Sequence, residues 1–427
     1  MRILMSAGWE VQQVKEDDKS KLSPVSKVLS LPKNVLLIGF GFYLRRISGD
    51  KNFWLGLSKE LKNRLDKLVI VSVNSSPTEF EQEGNIYLYN VQRPFHRKKD
   101  DENILKFQFQ RHPLPWEILE RSATLLKLIP LLKKLIELHH IKVIHLMDNF
   151  GFLTRLIKIA LPGLEVYATA ITYNKNGLPP RLYSLYQKMI FGNLDKVVVS
   201  SNEFKAKLIE DGFSKEKVGV IRWGISMQNG TNMFLEKRKI KGDDKKNSST
   251  KVILWTGFTQ QVGIKSLQLS LSLARSIIRK KSSVDFIFAI KPECFPKDKR
   301  PFEEEHLRVL ATTPQEFLKL LERADLLLAP IDNQRSTVAP PLTWIECMAQ
   351  GIPIMSTQVP GIDEILKHNL TGFVAKSNDG LENLMERVLE KENLLAEVSA
   401  NAREWVRKKY NLKNIAQDYI KLWEEKW

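Results

Sequence analysis

Two cysteines in 427 residues, Cys294 and Cys347, cannot build a disulfide framework. Cys347 also stands inside an apolar pattern, so a reducing compartment fits this usage best. No apolar run approaches the roughly 18 residues that a membrane-spanning helix requires. The opening stretch, MRILMSAGWEVQQVKEDDKSK, holds too short an apolar run for a secretory signal. The expected location is cytoplasmic, and Asn-x-Ser/Thr triplets such as Asn247-Ser248-Ser249 read as chance. Catalytic signatures are missing too. There is no Gly-x-Ser-x-Gly elbow, no P-loop and no His-Glu-x-x-His. No Asp-x-Asp closes a strand, so no metal and no cofactor are expected.

What the chain has in excess is positive charge. Lys and Arg number 66 against 49 Asp and Glu, a formal +17. That imbalance speaks of partners rather than of fold. A nucleic-acid partner is not expected, because no zinc-ligand spacing, basic zipper or RNA-recognition signature accompanies the charge. An anionic membrane surface stays open, at about 1 kcal/mol per basic residue near the headgroups. Hydrophobic content of 43% and a length of 427 residues give material for two cores.

The patterning reads as two α/β halves. Residues 1–33 are a weakly patterned N-terminal extension. NVLLIGFGFY is a buried strand ending at Gly39 and Gly41, and Ser48-Gly49-Asp50 caps the helical KNFWLGLSKELKNRL. KLVIVSV is a second buried strand, which starts a parallel sheet. Residues 76–112 read as polar and irregular. A long helix follows over 116–138, with a bend expected at Pro130 and with His139 and His140 as cations suited to its C-terminal dipole. KVIHLM, LEVYATAIT and LDKVVVSS are further strands, and His145 reads as a core residue. SNEFKAKLIEDG is a capped helix ending at Gly212. Residues 34–228 thus form one Rossmann-like domain. Residues 229–250 are charged, weakly patterned and linker-like. Strand and helix patterns restart over 251–408, and 409–427 is a final helix. Ligands of open parallel sheets bind beyond the carboxyl ends of the strands. Two such sheets facing one another would put a site in the cleft between them.

One segment carries more than pattern. DLLLAPIDNQRSTVAPPLTWIECMAQGIPIMSTQVPGIDEIL resembles the donor-binding segment of retaining glycosyltransferases of the GT-B fold, the family 4 group. LDKVVVSSNEFKAKLIEDGFSKEKVGVIRWGI and LRVLATTPQEFLKLLERADLLLAPI resemble the family's neighbouring segments. The likeness covers residues 190–425 well, 34–190 loosely and 1–33 not at all. It implies an α/β GT-B fold, with the nucleotide-sugar held by the second half, the acceptor by the first, and the final helix, 409–427, crossing back to the first half. The expected activity is retaining transfer of a sugar to a lipid-linked or cell-surface glycan. The alternative is a catalytically silent relative that binds a nucleotide or a partner.

The same resemblance assigns roles. Glu346 would accept hydrogen bonds from the ribose hydroxyls. The helix N-terminus would hold the diphosphate; Pro340 and Pro341 have no N–H, which leaves Leu342 and Thr343 as donors. Gly361 and Ile362 would approach the base, and Glu364 is either a second polar contact or a helix cap. Gly257 and Thr259 would line the donor loop, with Lys265, Lys291 and Arg335 as candidate cations for the diphosphate. Gly41, Gly49, Asp148, Asn149 and Tyr173 are the acceptor-side candidates. There are departures. Val338 stands where the family places a glutamate, and Phe258 where it places an arginine. No lysine precedes Lys265 in that loop. Ile171, Thr172 and Tyr173 follow the strand that often ends in histidine. Arg222-Trp223-Gly224 replaces the junction Pro-Asn-Gly.

Overall fold

The computed structural model describes residues 34–40, 49–74, 79–92, 114–147, 156–170, 173, 179–227, 250–257, 264–292, 295, 304–331 and 340–424. Their strands form two sheets. The first has eight strands: β1 (Val35–Phe40), β2 (Leu68–Asn74), β3 (Glu79–Glu83), β4 (Ile86–Gln92), β5 (Val143–Leu146), β6 (Glu165–Thr169), β7 (Lys196–Val199) and β8 (Val218–Val220). They lie in the order β3-β4-β2-β1-β5-β6-β7-β8. All neighbours are parallel except β3 with β4. The second has six parallel strands: β9 (Lys251–Gly257), β10 (Val284–Ile290), β11 (Leu307–Ala311), β12 (Leu326–Leu328), β13 (Ile354–Thr357) and β14 (Phe373–Ala375). Their order is β11-β10-β9-β12-β13-β14.

The apolar runs explain this arrangement. A strand covered by helices on both faces needs hydrophobic residues at every position, not at alternate ones. Leu36 and Ile38 pack into one core of the first sheet, while Val35 and Leu37 pack into the other. In the second sheet Ile253 and Trp255 face one core, Val252 and Leu254 the other. The two-residue period of a strand splits each run between the faces.

Among the helices, α1 (Gly49–Leu61), α2 (Leu114–His139), α3 (Leu156–Ala160), α4 (Pro180–Phe191) and α5 (Asn202–Glu210) follow strands of the first sheet. The helices α6 (Ile264–Lys280), α7 (Pro314–Arg323), α8 (Leu342–Ala349), α9 (Gly380–Glu390) and α10 (Glu392–Lys409) belong to the second half. In α5 the Ser201 hydroxyl accepts from Phe204 N–H at 3.1 Å, and Gly212 adopts φ +90° just past the end. In α7 Thr313 and Glu316 form a capping box.

Two expectations need correction. Residues 76–112 are not irregular throughout: Glu79–Glu83 and Ile86–Gln92 form a hairpin turning at Gly84, φ +62°. The polar look comes from β3, an edge strand exposed along its whole length. The long helix carries Pro130 in its interior. His139 is not a cation. It is buried against Tyr87 and hydrogen-bonded to the Tyr89 hydroxyl at 3.0 Å, and burial holds its pKa down at about 4.

The last helix, α11 (Leu412–Trp423), packs on the first sheet. Tyr419 and Trp423 are wholly buried beside Trp54 and His145. The Trp423 indole N–H, which can only donate, meets His145 Nδ1 at 3.1 Å. The imidazole proton therefore sits on Nε2, which lies 2.8 Å from Thr169 Oγ1. Burial holds the His145 pKa at about 3, so the ring is neutral. His145 is a core residue, as its strand setting indicates.

The chain enters and leaves this region through a tight contact. Ile225 N–H donates to Tyr410 O at 2.9 Å, and Leu412 N–H donates to Ile225 O at 3.1 Å. A Cβ on Gly224 would lie 2.1 Å from Tyr410 O. That approach accounts for glycine after Arg222-Trp223. Gly224→Ala is expected to cost about 2 kcal/mol or more through forced backbone displacement. Denaturant unfolding monitored by tryptophan fluorescence checks this, and the loss should exceed that from Gly380→Ala, where the nearest atom, Ser377 Oγ, lies at an ordinary 3.5 Å.

Candidate functional site

The second sheet runs outward from its centre in both directions, β9-β10-β11 one way and β12-β13-β14 the other. Its switch point lies between β9 and β12, and in open parallel sheets ligands bind beyond the carboxyl ends at such a point. Four features meet at that level. β9 ends at Gly257, where a Cβ would strike the Trp255 ring at 2.8 Å. The chain after β12 reaches Ile331, which is fixed to β13 by Ile331 N–H donating to Thr357 Oγ1 at 2.9 Å. The helix α8 begins at Leu342. β13 ends at Thr357 and is followed by Val359-Pro360-Gly361, with Gly361 in the left-handed region at φ +79°.

The N-terminus of α8 is uncapped. Its N-cap is Pro341, which offers no side-chain acceptor. The amides of Leu342 and Thr343 precede any intrahelical acceptor and have none among the described residues. Trp344 N–H turns back to Pro341 O at 2.9 Å. Five neighbours of Glu346 on this helix, Leu342, Trp344, Ile345, Cys347 and Met348, are buried. Glu346 itself is half-buried, and its carboxylate has no hydrogen-bond or ion-pair partner among the described residues. Burial pushes its pKa up, with no compensating cation. A carboxyl group one turn from an open helix end, desolvated and unpaired, is an acceptor held ready for hydroxyl donors.

The other expected donor residues separate into groups. Leu342 is buried, and its side chain packs with the first-sheet cluster of Trp223, Leu412 and Ile415 rather than into the crevice. Thr343 is half-buried at the same helix end. Ile362 is 1% exposed within the second core, and its amide bonds Val359 O at 3.2 Å. It shapes the loop and has no side chain free for a base. Lys265 is exposed in the first turn of α6, and Lys291 is exposed just after β10. Thr259 and Arg335 lie outside the described residues, as do Phe258 and Val338. So do Gly41, Asp148 and Asn149 on the acceptor side, and Ile171 and Thr172. Gly49 opens α1. Tyr173 is engaged in the fold: its hydroxyl donates to Asp211 Oδ2 at 3.1 Å, and its ring packs on Tyr183 and Phe204. Burial and the Asp211 carboxylate raise its pKa to about 12. Among the described residues no group of three or more His, Cys, Asp or Glu is placed to hold a metal ion.

Of the two roles expected for Glu364, the structure shows the helix cap. Its carboxylate lies on α5, in the other half. It accepts from Asn202 N at 2.9 Å, Asn202 Nδ2 at 2.9 Å and Glu203 N at 2.8 Å, and stands 3.6 Å from the Arg222 guanidinium. It caps a helix, but not its own. Of the residues it meets, Arg222 stands out in the sequence only as part of the altered junction, and Asn202, Glu203 and Tyr410 not at all. Only the two acids after Pro360-Gly361 hinted at such a contact.

Three comparisons bear on this geometry. Residues 300–405 match the family model of glycosyl transferases group 1. The amylovoran biosynthesis glycosyltransferase AmsK of Erwinia amylovora is 24% identical over 233 residues, 52% of this chain and 54% of the relative. The chain thus spans about half the length of that curated relative. Among solved structures, sucrose-phosphate synthase of Thermosynechococcus elongatus matches with TM-score 0.65 at 16% identity, covering 92% of this chain and 98% of that one. The Anabaena protein HepE in complex with UDP-glucose matches with TM-score 0.59 at 13% identity, covering 91% and 99%. At such identities the structural likeness establishes the fold, which is GT-B.

The raised pKa of Glu346 carries a stability consequence with a definite sign. A carboxyl whose pKa is higher folded than unfolded supports folding fully below the unfolded value and loses that support as pH rises through the folded value. Glu346→Gln stays uncharged throughout. Its melting temperature relative to the parent should therefore climb between pH 5 and pH 7.5, by about 1–3 °C for a chain of this size. Parallel thermal melts test this. A difference that stays flat with pH would mean that the carboxylate is solvated.

Proposed function

Proceeding from a glycosyl transferases group 1 segment at residues 300–405 within a GT-B fold, we propose that this chain is a nucleotide-sugar-dependent glycosyltransferase whose donor sits at the carboxyl ends of β9, β12 and β13. The observation that carries the reading is Glu346: a desolvated carboxylate without a partner among the described residues, one turn into a helix whose N-cap, Pro341, offers no side-chain cap. Two ribose hydroxyls are donors of the kind this group lacks. The diphosphate is the kind of anion that the Leu342 and Thr343 amides and the helix dipole favour. Gly361, without a Cβ and at positive φ, lets the backbone come close to a bound nucleotide. HepE's complex with UDP-glucose supports the choice of donor class.

The reaction we infer is retaining. The acceptor hydroxyl attacks the anomeric carbon on the face that the diphosphate leaves, and the departing phosphate oxygen takes the hydroxyl proton. No protein nucleophile enters that scheme, so a chain with Val338 in place of a sugar-side carboxylate remains compatible with turnover. The first half supplies the acceptor side. A lipid-linked or cell-surface glycan is the acceptor class that fits the formal charge of +17, and the likeness to AmsK, an amylovoran biosynthesis glycosyltransferase, supports a polysaccharide route.

Titration of UDP, GDP and ADP into the protein, with and without their sugars, is the direct test. Charge-assisted hydrogen bonds contribute about 1.5–3 kcal/mol each. Glu346→Gln, which keeps the shape and removes the charge, should weaken the best-bound nucleotide about tenfold or more. Unchanged affinity would remove the donor site from this position.

The membrane part of the reading is checked by flotation with vesicles. Binding to acidic vesicles should drop steeply as salt rises to 0.5 M, because the Debye length shrinks from about 8 Å at 0.15 M. Equal binding to neutral and acidic vesicles would sink it.

A further inference from the structure

The contacts of Glu364 point beyond donor binding. Its carboxylate offers about four lone-pair positions. Asn202 N, Asn202 Nδ2 and Glu203 N take three of them, at 2.8–2.9 Å, and the Arg222 guanidinium lies 3.6 Å away. Little acceptor capacity is left for a ligand. The partners all belong to the first half: Asn202 and Glu203 are the first two residues of α5, and Arg222 follows β8. Glu364 belongs to the second half, at the end of the short turn Ile362–Glu364 that begins after Gly361.

The fit is specific on both sides. Phe204 N–H, the next amide of α5, is already satisfied by Ser201 Oγ, so Glu364 completes the set of open amides at that helix end. The carboxylate also meets the positive end of the helix dipole. On the other side Tyr410, which is buried, donates from its hydroxyl to Glu364 O at 3.3 Å and so holds the turn that carries the carboxylate. Tyr410 O receives Ile225 N–H, two residues from the end of the first half. The turn, the junction and α5 are thus joined through one side chain.

We propose that Glu364 is a positioning residue that latches the loop after β13 to the N-terminus of α5 and so sets the separation of the two halves. The donor loop and the latch share one turn, with Gly361 and Glu364 three residues apart. A nucleotide seated on Gly361, which rests on the donor-site reading above, would lie next to the point where the halves are tied. The latch itself is a matter of protein contacts and stands or falls without any nucleotide.

The test uses the full chain and two variants, Glu364→Ala and Glu364→Gln, with Glu346→Gln as the donor-site control. Hydrogen exchange reads the contact directly. In Glu364→Ala the amides of Asn202 and Glu203 should exchange about tenfold faster or more, because an amide without its acceptor opens to solvent. Those of Leu208 and Ile209, deeper in α5, should keep their rates. Small-angle scattering should show a larger radius of gyration in Glu364→Ala, with Glu364→Gln intermediate since one carbonyl acceptor remains. Nucleotide affinity, read by titration with UDP, GDP and ADP, should change less than in Glu346→Gln. Unchanged exchange at 202 and 203 together with unchanged scattering would overturn the latch. So would a loss of nucleotide affinity equal to that of Glu346→Gln with no change in scattering, since that pattern belongs to a donor ligand. If no nucleotide binds the parent chain, the donor reading fails while the exchange and scattering results still decide the latch.

Discussion

The return of the last helix to the first half is the constraint on which the rest of the molecule depends. Helix α11 follows the second half in sequence and packs with the first. Its residues Leu412, Ile415, Ala416, Tyr419, Leu422 and Trp423 cover the face of the first sheet that Val35, Leu37, Leu68 and Ile70 present. Burying two aromatics of this size contributes on the order of 4–6 kcal/mol each before conformational entropy is subtracted. The Trp423–His145–Thr169 chain of hydrogen bonds adds direction to that burial. A hydrophobic face alone would accept the helix in several registers, whereas an indole N–H facing a neutral imidazole nitrogen accepts one.

With the helix fixed, the chain on either side of it is fixed too. Ile225 and Tyr410 meet backbone to backbone, and Gly224 is required where they pass. Leu342, the first residue of α8, packs into the same first-half cluster as α11. The helix that carries Glu346 is therefore seated partly on the other half. Glu364 makes the remaining tie, charge to helix end, close to the same junction. Burial, backbone pairing and a charged cap each hold one point of the boundary, close to the proposed donor site at the carboxyl ends of β9, β12 and β13.

Function and stability oppose each other at Glu346. Leaving a carboxylate desolvated and unpaired costs free energy in the empty protein. The same desolvation strengthens whatever hydrogen bonds a ligand brings to it. The open end of α8 follows the same logic: Pro341 forgoes a capping side chain, and the amides of Leu342 and Thr343 remain available. Two local rules of good folding are broken within five residues, whereas α5 and α7 are capped in full. Among the described residues, local consistency gives way here and not at α5 or α7, and it is on this contrast that the proposed donor site rests.

How much of this could be read from the chain follows from the range of the forces involved. Continuous apolar runs such as VLLIGF and VDFIFAI state a two-faced strand locally, and glycines past helix ends state turns locally. The alternation of strands and helices, and with it two parallel sheets, was therefore legible. So was Glu346, because a lone carboxylate among Trp344, Ile345, Cys347 and Met348 departs from the apolar pattern around it. The strand Glu79–Glu83 escaped, since an exposed edge strand buries nothing and leaves no apolar signature. His139 was misjudged because burial is set by what packs over a residue, not by its neighbours in sequence. Glu364 lay furthest out of reach. Asn202 stands 162 residues away along the chain, and no local pattern records which helix end a carboxylate will meet. The sequence determined the elements and the unsatisfied carboxylate. Only the tertiary structure, by folding the chain back through α11, decided which charge faces which amide across the two halves.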